Sequence, residues 1–312
     1  MAVTFSRSLV IVAGAALAGC GGGGGGDGGP ANRALPGANG LDYGFAGQRL
    51  DEAETVEVSA RAALLQDGAD PFIGPTQITF GPGFFSNPPS GQSAEVEIFG
   101  EPVTITNGEG TLSNGQTVRI NFDPTAAGTY AGAISLISYG SQQPGPPPFA
   151  NDGEEHFVFG FETNPDTIED FRGIRGTAVY AGSFSASGIV YDDVDNIVGD
   201  LGTEMTGTVT FDVGFDTGTV GGTLEGTYTT GTTPVDVSLI LDENITDLNN
   251  TGFAGILECG TAPNCSSIST VEGDFFGPNA EELGGVVSLN VINDVGGADL
   301  NYTGAGSFIV TE

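Results

Sequence analysis

The segment HFVFGFE, residues 156–162, alternates aromatic side chains with smaller or polar ones. Phe157, Phe159 and Phe161 recur with a period of two, which places their rings on one face of a β-strand. Similar short segments follow along the chain, separated by glycines and by Asp, Asn and Thr clusters that favour turns. They include GTAVYAGSF, TGTVTFDVGF, GTVGGTLEGTYT, PVDVSLIL and GGVVSLNV. Short strands at regular spacing predict an antiparallel sandwich or barrel.

The composition fits an all-β globular protein. The chain has 312 residues with 53 glycines, 20 phenylalanines and no tryptophan, and its 38% of hydrophobic residues can fill a core. The length allows one large or two modest domains. Only residues 278–283 offer a plausible helical turn, which Pro278 could begin and Gly284 could end.

The N-terminus carries a targeting signal. The apolar run LVIVAGAALA, residues 9–18, follows Arg7 and is too short to span a bilayer, as in a signal peptide. It ends in Leu17-Ala18-Gly19-Cys20, which resembles the lipobox of bacterial lipoproteins. We therefore expect residues 1–19 to be a lipoprotein signal peptide and Cys20 to become the lipidated N-terminus. The alternative is an ordinary secretory signal that contains a cysteine.

A glycine-rich tether is expected next, over residues 20–40. Its sequence cannot bury apolar surface, and twenty such residues span about 25 Å as a flexible coil. Residues 41–152 then hold five candidate strands and a hairpin turn at Asn114-Gly115, which predict a small β-rich domain. Three consecutive prolines, Pro146 to Pro148, predict a linker or loop, so a boundary is placed near Asp152 and a second domain over residues 153–312.

The charge excludes several classes of partner. Forty Asp and Glu residues face seven arginines and no lysine, and no Arg, Lys or His occurs from Gly176 onward. Without Arg7 of the signal, the formal charge is 6 − 40 = −34. Such a field repels nucleic acid and anionic lipid. Two interpretations remain: solubility in a salty habitat, which the even spread of the acids favours, and a basic protein partner.

The segment CGTAPNC contains the two cysteines that follow the signal region. Gly260, Pro263 and Asn264 between them favour a turn, so Cys259 and Cys265 are expected to close a loop by a disulfide. A zinc site would need more ligands, and no histidine is near in sequence. No metal site is predicted.

A series of motifs in the second half resembles a known family. The order FGFETNPD, GTAVYAGSF, TGTVTFDVGFDTGTVGG, GFAG, GDFFGPNAEELGG and GAGSF resembles the β-barrel domain of transferrin-binding protein B and its relatives. The resemblance covers about half the chain, and its most specific part carries Gly273, Phe275, Phe276, Gly277, Pro278, Gly284 and Gly285. It implies a C-terminal eight-stranded antiparallel β-barrel preceded by a small β-rich handle-like domain.

We expect this motif to be structural, with ligand-binding residues elsewhere and unknown. Phe275 and Phe276 should point to opposite faces of a strand, one filling the barrel and the other covering its outside. Residues 280–283 should then form one turn, and Gly284-Gly285 should let the chain reverse. Glu281 and Glu282 need only be solvated.

The resemblance also implies a class of function. Relatives are surface lipoproteins of Gram-negative bacteria that capture host proteins or iron and haem carriers. It implies an outer-membrane, lipid-anchored surface protein that binds a protein or an iron- or haem-related solute through barrel or handle loops, with no cofactor of its own. A TonB-dependent outer-membrane receptor is a further candidate partner. The alternative is a structural coat lipoprotein without a soluble ligand.

Catalysis is not predicted. His156 is the chain's single histidine, so any catalytic pair that uses histidine must include it. The sequence has no Gly-x-Ser-x-Gly motif, no phosphate-binding glycine loop that ends in lysine and no two-histidine metal motif. His156 and a tyrosine could ligate haem, but an ordinary strand residue is the favoured interpretation.

Overall fold

The structure is a computed structural model of the chain. It describes residues 44–45, 48–49, 56–66, 72–80, 93–98, 101–106, 109–113, 115, 117–122, 130–139, 153–160, 162–192, 197–243, 246, 248–249, 251–260, 265–295 and 298–312. The predicted signal peptide, the lipidation site Cys20 and the tether therefore lie outside the described residues, as do Asn114, Pro146 to Pro148 and Phe161.

Eight antiparallel strands form a first closed barrel, preceded by the short pair β1 (Gly44–Phe45) and β2 (Gln48–Arg49). The barrel strands are β3 (Val56–Gln66), β4 (Phe72–Phe80), β5 (Ser93–Ile98), β6 (Glu101–Thr106), β7 (Glu109–Thr111), β8 (Thr117–Phe122), β9 (Ala131–Tyr139) and β10 (Gly153–Gly160). The expectation of a β-rich N-terminal region is confirmed, and the structure adds that the region closes on itself.

Strand β10 belongs to this first barrel. It pairs with β3 and with β9, so that Phe157 lies opposite Ala62 on one side and Ile134 on the other. The sequence placed the same strand at the start of the second domain, after a boundary near Asp152. In the structure β9 and β10 pair within one sheet, and the passage between the barrels comes after Gly160.

Eight further strands form the second barrel, as expected for the C-terminal half. They are β11 (Thr177–Tyr191), β12 (Ile197–Gly214), β13 (Thr219–Thr230), β14 (Thr233–Leu241), β15 (Gly252–Cys259), β17 (Ser269–Phe276), β18 (Glu282–Val295) and β19 (Ala298–Thr311). Pairing of β18 with both β17 and β19 closes the barrel. The short strand β16 (Cys265–Ser267) pairs with the far end of β18.

Aromatic rings fill the second barrel. Phe211 packs against Phe253 and Phe308 with ring centroids 5.1 Å apart in both pairs, and all three side chains are almost fully buried. Strand alternation explains this arrangement, because every second residue of each strand points inward. Tyr228 and Tyr302 extend the core, with centroids 4.9 Å apart.

A single helix, α1 (Pro165–Phe171), occurs within the described residues. Asn164 caps it by accepting a hydrogen bond from the Asp166 N–H, and Pro165 occupies its first turn. Its buried Ile168 joins the core of the second barrel. The helix was not predicted from the sequence, although Asn-Pro-Asp is a start signal, because seven residues are too few for a clear helical period. The described residues contain no helix long and apolar enough to cross a membrane.

Candidate functional site

The family motif lies where the two barrels meet. Strands β17 and β18 form a hairpin in which Phe276 lies opposite Glu282, and the chain reverses over residues 277–280. Gly277 has a φ of 88° at this turn. The expected reversal at Gly284-Gly285 is wrong, because both glycines lie inside β18. The reversal instead lies seven residues before Gly284, at Gly277 directly after the aromatic pair, because glycine readily adopts the positive φ of this turn.

The two phenylalanines serve different cores, as the alternation predicted. Phe275 points into the second barrel, where its ring centroid lies 5.7 Å from that of Tyr180 and 5.5 Å from that of Phe215. Phe276 points outward and is 2% exposed, because the first barrel covers it. The cluster around Phe276, here called the seam, consists of Ala63, Ala131, Ala133, Val158, Phe276, Val286 and Ala305.

Small residues let the two barrel walls approach closely at the seam. A Cβ atom on Gly284 would lie 2.8 Å from Cγ1 of Val158 in the first barrel, too close for any real side chain. A Cβ on Gly285 would collide with the backbone oxygen of Glu272 in the neighbouring strand. The motif glycines are therefore needed for strand packing and for contact between the barrels.

A cluster of charges crosses the seam. Arg61 of β3 forms ion pairs with Glu272 and Asp274 of β17, and its Nη2 donates to Asp274 Oδ1 at 2.9 Å. Burial by itself would lower the pKa of Arg61, but hydrogen bonds and attraction to Asp274 and Glu272 outweigh it and raise the pKa above its ordinary value. Arg61 therefore stays charged and holds both carboxylates.

Glu282 also crosses the seam. Its Oε2 accepts hydrogen bonds from the backbone N–H groups of Tyr130 and Ala131, at 2.8 and 2.9 Å. The residue is 2% exposed, so the expectation of a merely solvated side chain is wrong for Glu282. Glu281 instead accepts hydrogen bonds from Asn279 within the turn. No local sequence signal separates these adjacent glutamates, because the N–H donors come from a different barrel.

The segment between the barrels is bonded to the same hairpin. The Thr163 N–H donates to the Phe275 carbonyl at 2.8 Å, and the Thr163 hydroxyl donates to the Gly277 carbonyl at 2.7 Å. Glu162 adds a β-bridge to Phe276. The segment that joins the two barrels is thus anchored on the turn after the aromatic pair. The same hydrogen bonds hold Pro278 and its neighbours in one hairpin.

His156 lies in the wall of the first barrel. It is 4% exposed and pairs with Ala63 and Ser135 in the strand register, on the seam side of β10. Within the described ranges, no group of three or more His, Cys, Asp or Glu side chains could hold a metal ion. His156 is therefore a buried strand residue in the wall of the first barrel.

The two cysteines form the predicted disulfide. Cys259 ends β15 and Cys265 begins β16, and their Cα atoms are 5.8 Å apart. The Gly260 N–H donates to the Ser238 carbonyl at 2.9 Å and ties the same loop to β14. The disulfide therefore links the end of β15 to the start of β16 at one end of the second barrel.

A comparison with known families matches the second barrel. The second barrel combines eight strands with a short helix at its entry and with the hairpin of β17 and β18. Residues 173–308 match the family described as the C-lobe and N-lobe beta barrels of Tf-binding protein B. The second barrel is thus similar to the barrels of that family, and the resemblance seen in the sequence is confirmed. A comparison with curated proteins found no match.

Several solved structures are similar over much of the chain. The N-lobe of lactoferrin-binding protein B from Moraxella bovis is 16% identical and has a TM-score of 0.37; the match covers 63% of this chain and 79% of that one. A transferrin-binding protein B mutant from Haemophilus parasuis is 16% identical and has a TM-score of 0.39, with 81% of this chain covered. This chain spans 45% of that protein's length.

Proposed function

We propose that this protein is a lipid-anchored lipoprotein of the outer membrane, displayed at the cell surface of a Gram-negative bacterium, where it binds a protein ligand. The observation that carries the proposal is the match of residues 173–308 to the barrels of transferrin-binding protein B. The similar lobes are named for binding lactoferrin and transferrin, both proteins. This favours a protein over an iron- or haem-related solute, which is the second candidate ligand.

The contact between the barrels supports binding through a preorganised surface. Arg61, Glu282 and the apolar seam join the two barrels, so the described strands of both barrels keep one relative arrangement. A preorganised surface loses less conformational entropy when it binds than a mobile one does. No catalytic step is proposed, and a TonB-dependent receptor remains a candidate partner in the outer membrane.

Surface display is tested by proteinase K treatment of intact cells, with an antibody against the second barrel and a periplasmic protein as control. We expect the barrel to be lost while the control survives. A Cys20→Ser variant should leave the membrane fraction, because it cannot carry the acyl chains that anchor a lipoprotein. Survival of the wild-type barrel until the outer membrane is broken would place it in the periplasm and overturn surface display.

Ligand binding is tested with the immobilised mature chain, residues 20–312, exposed to serum and to growth medium. A ligand receptor should recover one protein reproducibly, and haem added in a parallel sample should not compete with it. Recovery of mainly its own chain would instead support the coat lipoprotein alternative.

A further inference from the structure

Four isoleucines are exposed on one wall of the second barrel. Ile240 of β14, Ile256 of β15 and Ile292 of β18 are 40%, 50% and 37% exposed, and Ile268 between β16 and β17 is 72% exposed. We call these four residues the isoleucine patch. Outward positions of a solvated barrel are normally polar, so clustered apolar residues there indicate an interaction surface.

The strand register brings the patch together. Ile240 lies opposite Glu258, and Glu258 follows Leu257, whose partner is Ser269. Ile268 precedes Ser269, and its N–H donates to the Asn290 carbonyl of β18 at 3.1 Å. Ile292 also lies on β18, opposite Ser266 of β16. The patch therefore spans four neighbouring strand segments, next to the disulfide that links β15 to β16.

This wall continues into the seam. Thr270 lies opposite Ile256, and Glu272, two residues further on the same face, lies opposite Ala254 and Val286. Glu272 binds Arg61, and Val286 packs in the seam. The isoleucine patch is thus the uncovered continuation of a surface on which the first barrel already sits. There the first barrel supplies an arginine together with small apolar side chains.

Charge indicates what would cover the patch. Exposed Glu258 lies between Ile240 and Ile268 in the strand order, and the chain has no Arg, Lys or His from Gly176 onward. No strand of the second barrel carries an Arg, Lys or His that could pair with Glu258 as Arg61 pairs with Glu272. A second copy of this chain would also carry a formal charge of −33, so the two copies would repel each other. A partner with Arg or Lys around an apolar centre is complementary in both respects.

We propose that the isoleucine patch is the docking surface for a basic protein partner. Apolar side chains of the partner cover the isoleucines, and an Arg or Lys of the partner pairs with Glu258, as Arg61 pairs with Glu272 at the seam. The inference rests on the proposed function and names the surface and the chemistry of its protein ligand.

The first test is photo-crosslinking on intact producing cells in serum, with p-benzoylphenylalanine in place of Ile256. The matched control carries it in place of Val179 of β11, which is 48% exposed and four strands away around the closed barrel. We expect one adduct at position 256, absent at 179, with a protein of net positive charge. An adduct with the chain itself, with an acidic protein, or equally at both positions would overturn the proposal.

The second test measures affinity for the cross-linked protein after purification. Ile256→Ser with Ile268→Ser should weaken binding at least about tenfold, whereas Val179→Ser should leave it unchanged. Glu258→Gln should reduce the dependence of binding on salt, because one charge pair is lost. Unchanged binding in the double variant would reject the patch.

The two tests separate this inference from the proposed function. If the serum partner of the immobilised chain binds the Ile256→Ser, Ile268→Ser variant as well as wild type, the receptor function stands and the patch fails. If neither immobilised protein nor cross-linker recovers a partner, both fail together.

Discussion

Arg61 donates to both carboxylate oxygens of Asp274, although the two residues are 213 positions apart and belong to different barrels. Asp274 is 8% exposed and Arg61 18% exposed in their side chains, so the pair is largely removed from water. Asp274 also lies within the family motif, directly before Phe275 and Phe276. The end of β17 thus places Phe275 in the core of the second barrel and Phe276 in the seam. It also places the Asp274 carboxylate beside Arg61 of the first barrel.

Removal of the cation should destabilise the protein strongly. Arg61→Met leaves Glu272 and Asp274 partly buried without their partner, and we expect a loss of about 3 kcal/mol in the free energy of unfolding. Urea denaturation followed by circular dichroism measures it.

The control is Arg172→Met, since Arg172 pairs with Glu169 at an exposed site where both side chains are more than a third accessible. Arg172 also donates to the Leu248 carbonyl at 3.2 Å, so a loss of about 1 kcal/mol is expected there. Adding Glu272→Gln and Asp274→Asn to Arg61→Met should restore part of the stability. Equal losses at Arg61 and Arg172 would contradict the account of the seam.

A pair of glycines separates backbone strain from crowding at the seam. Gly277 and Gly115 have φ values of 88° and 87°, but a Cβ on Gly115 would meet nothing within 4 Å. A Cβ on Gly277 would lie 2.7 Å from Cδ2 of Tyr130 and would also press on Glu281. Gly115→Ala should cost about 1 kcal/mol through backbone strain alone, and Gly277→Ala about twice as much. Thermal unfolding of both variants measures the difference, and equal melting temperatures would show that Tyr130 does not crowd the turn.

Tyr180 should make the protein sensitive to alkali. Its ring is fully buried and its hydroxyl donates to the Ala280 carbonyl, and burial raises its pKa well above the ordinary 10.0. Because the folded-state pKa is raised, the folded state keeps this proton while the unfolded chain releases it. The stabilisation is therefore fully present below pH 10.0 and declines as pH rises from there toward the folded-state pKa.

The measurement is the free energy of unfolding as a function of alkaline pH, for wild type and for Tyr180→Phe. The variant should be less stable near neutral pH because it lacks the hydrogen bond, and its stability should fall less steeply above pH 10.0. Parallel curves for the two proteins would mean that Tyr180 is not the residue that titrates.

Salt should raise the melting temperature. The formal charge of −33 repels itself most strongly at low ionic strength, and the Debye length falls from about 10 Å at 0.1 M to about 3 Å at 1 M. Sodium and potassium chloride should act alike, because screening depends on ionic strength. A flat response across this range would contradict the view that the acidic surface is adapted to a salty habitat.

The sequence alone determined where many of the strands lie and that they alternate between a buried and an exposed face. The alternation in residues 156–160 predicted a strand with Phe157 and Phe159 on one face, the spacing of Phe275 and Phe276 predicted rings on opposite faces, and CGTAPNC predicted the disulfide. These features are local, because the period of a strand and the reach of a short loop depend only on neighbouring residues.

Tertiary structure alone decided which elements meet. The alternation along a strand predicts that one face is buried, but it does not identify the element that covers this face. It therefore could not assign β10 to the first barrel or place Arg61 beside Asp274. Glu281 and Glu282 have the same chemistry and adjacent positions, yet only Glu282 faces the N–H groups of Tyr130 and Ala131. Such pairings join residues about 150 or more positions apart, and their energy arises only when two complete barrels pack, which no local pattern encodes.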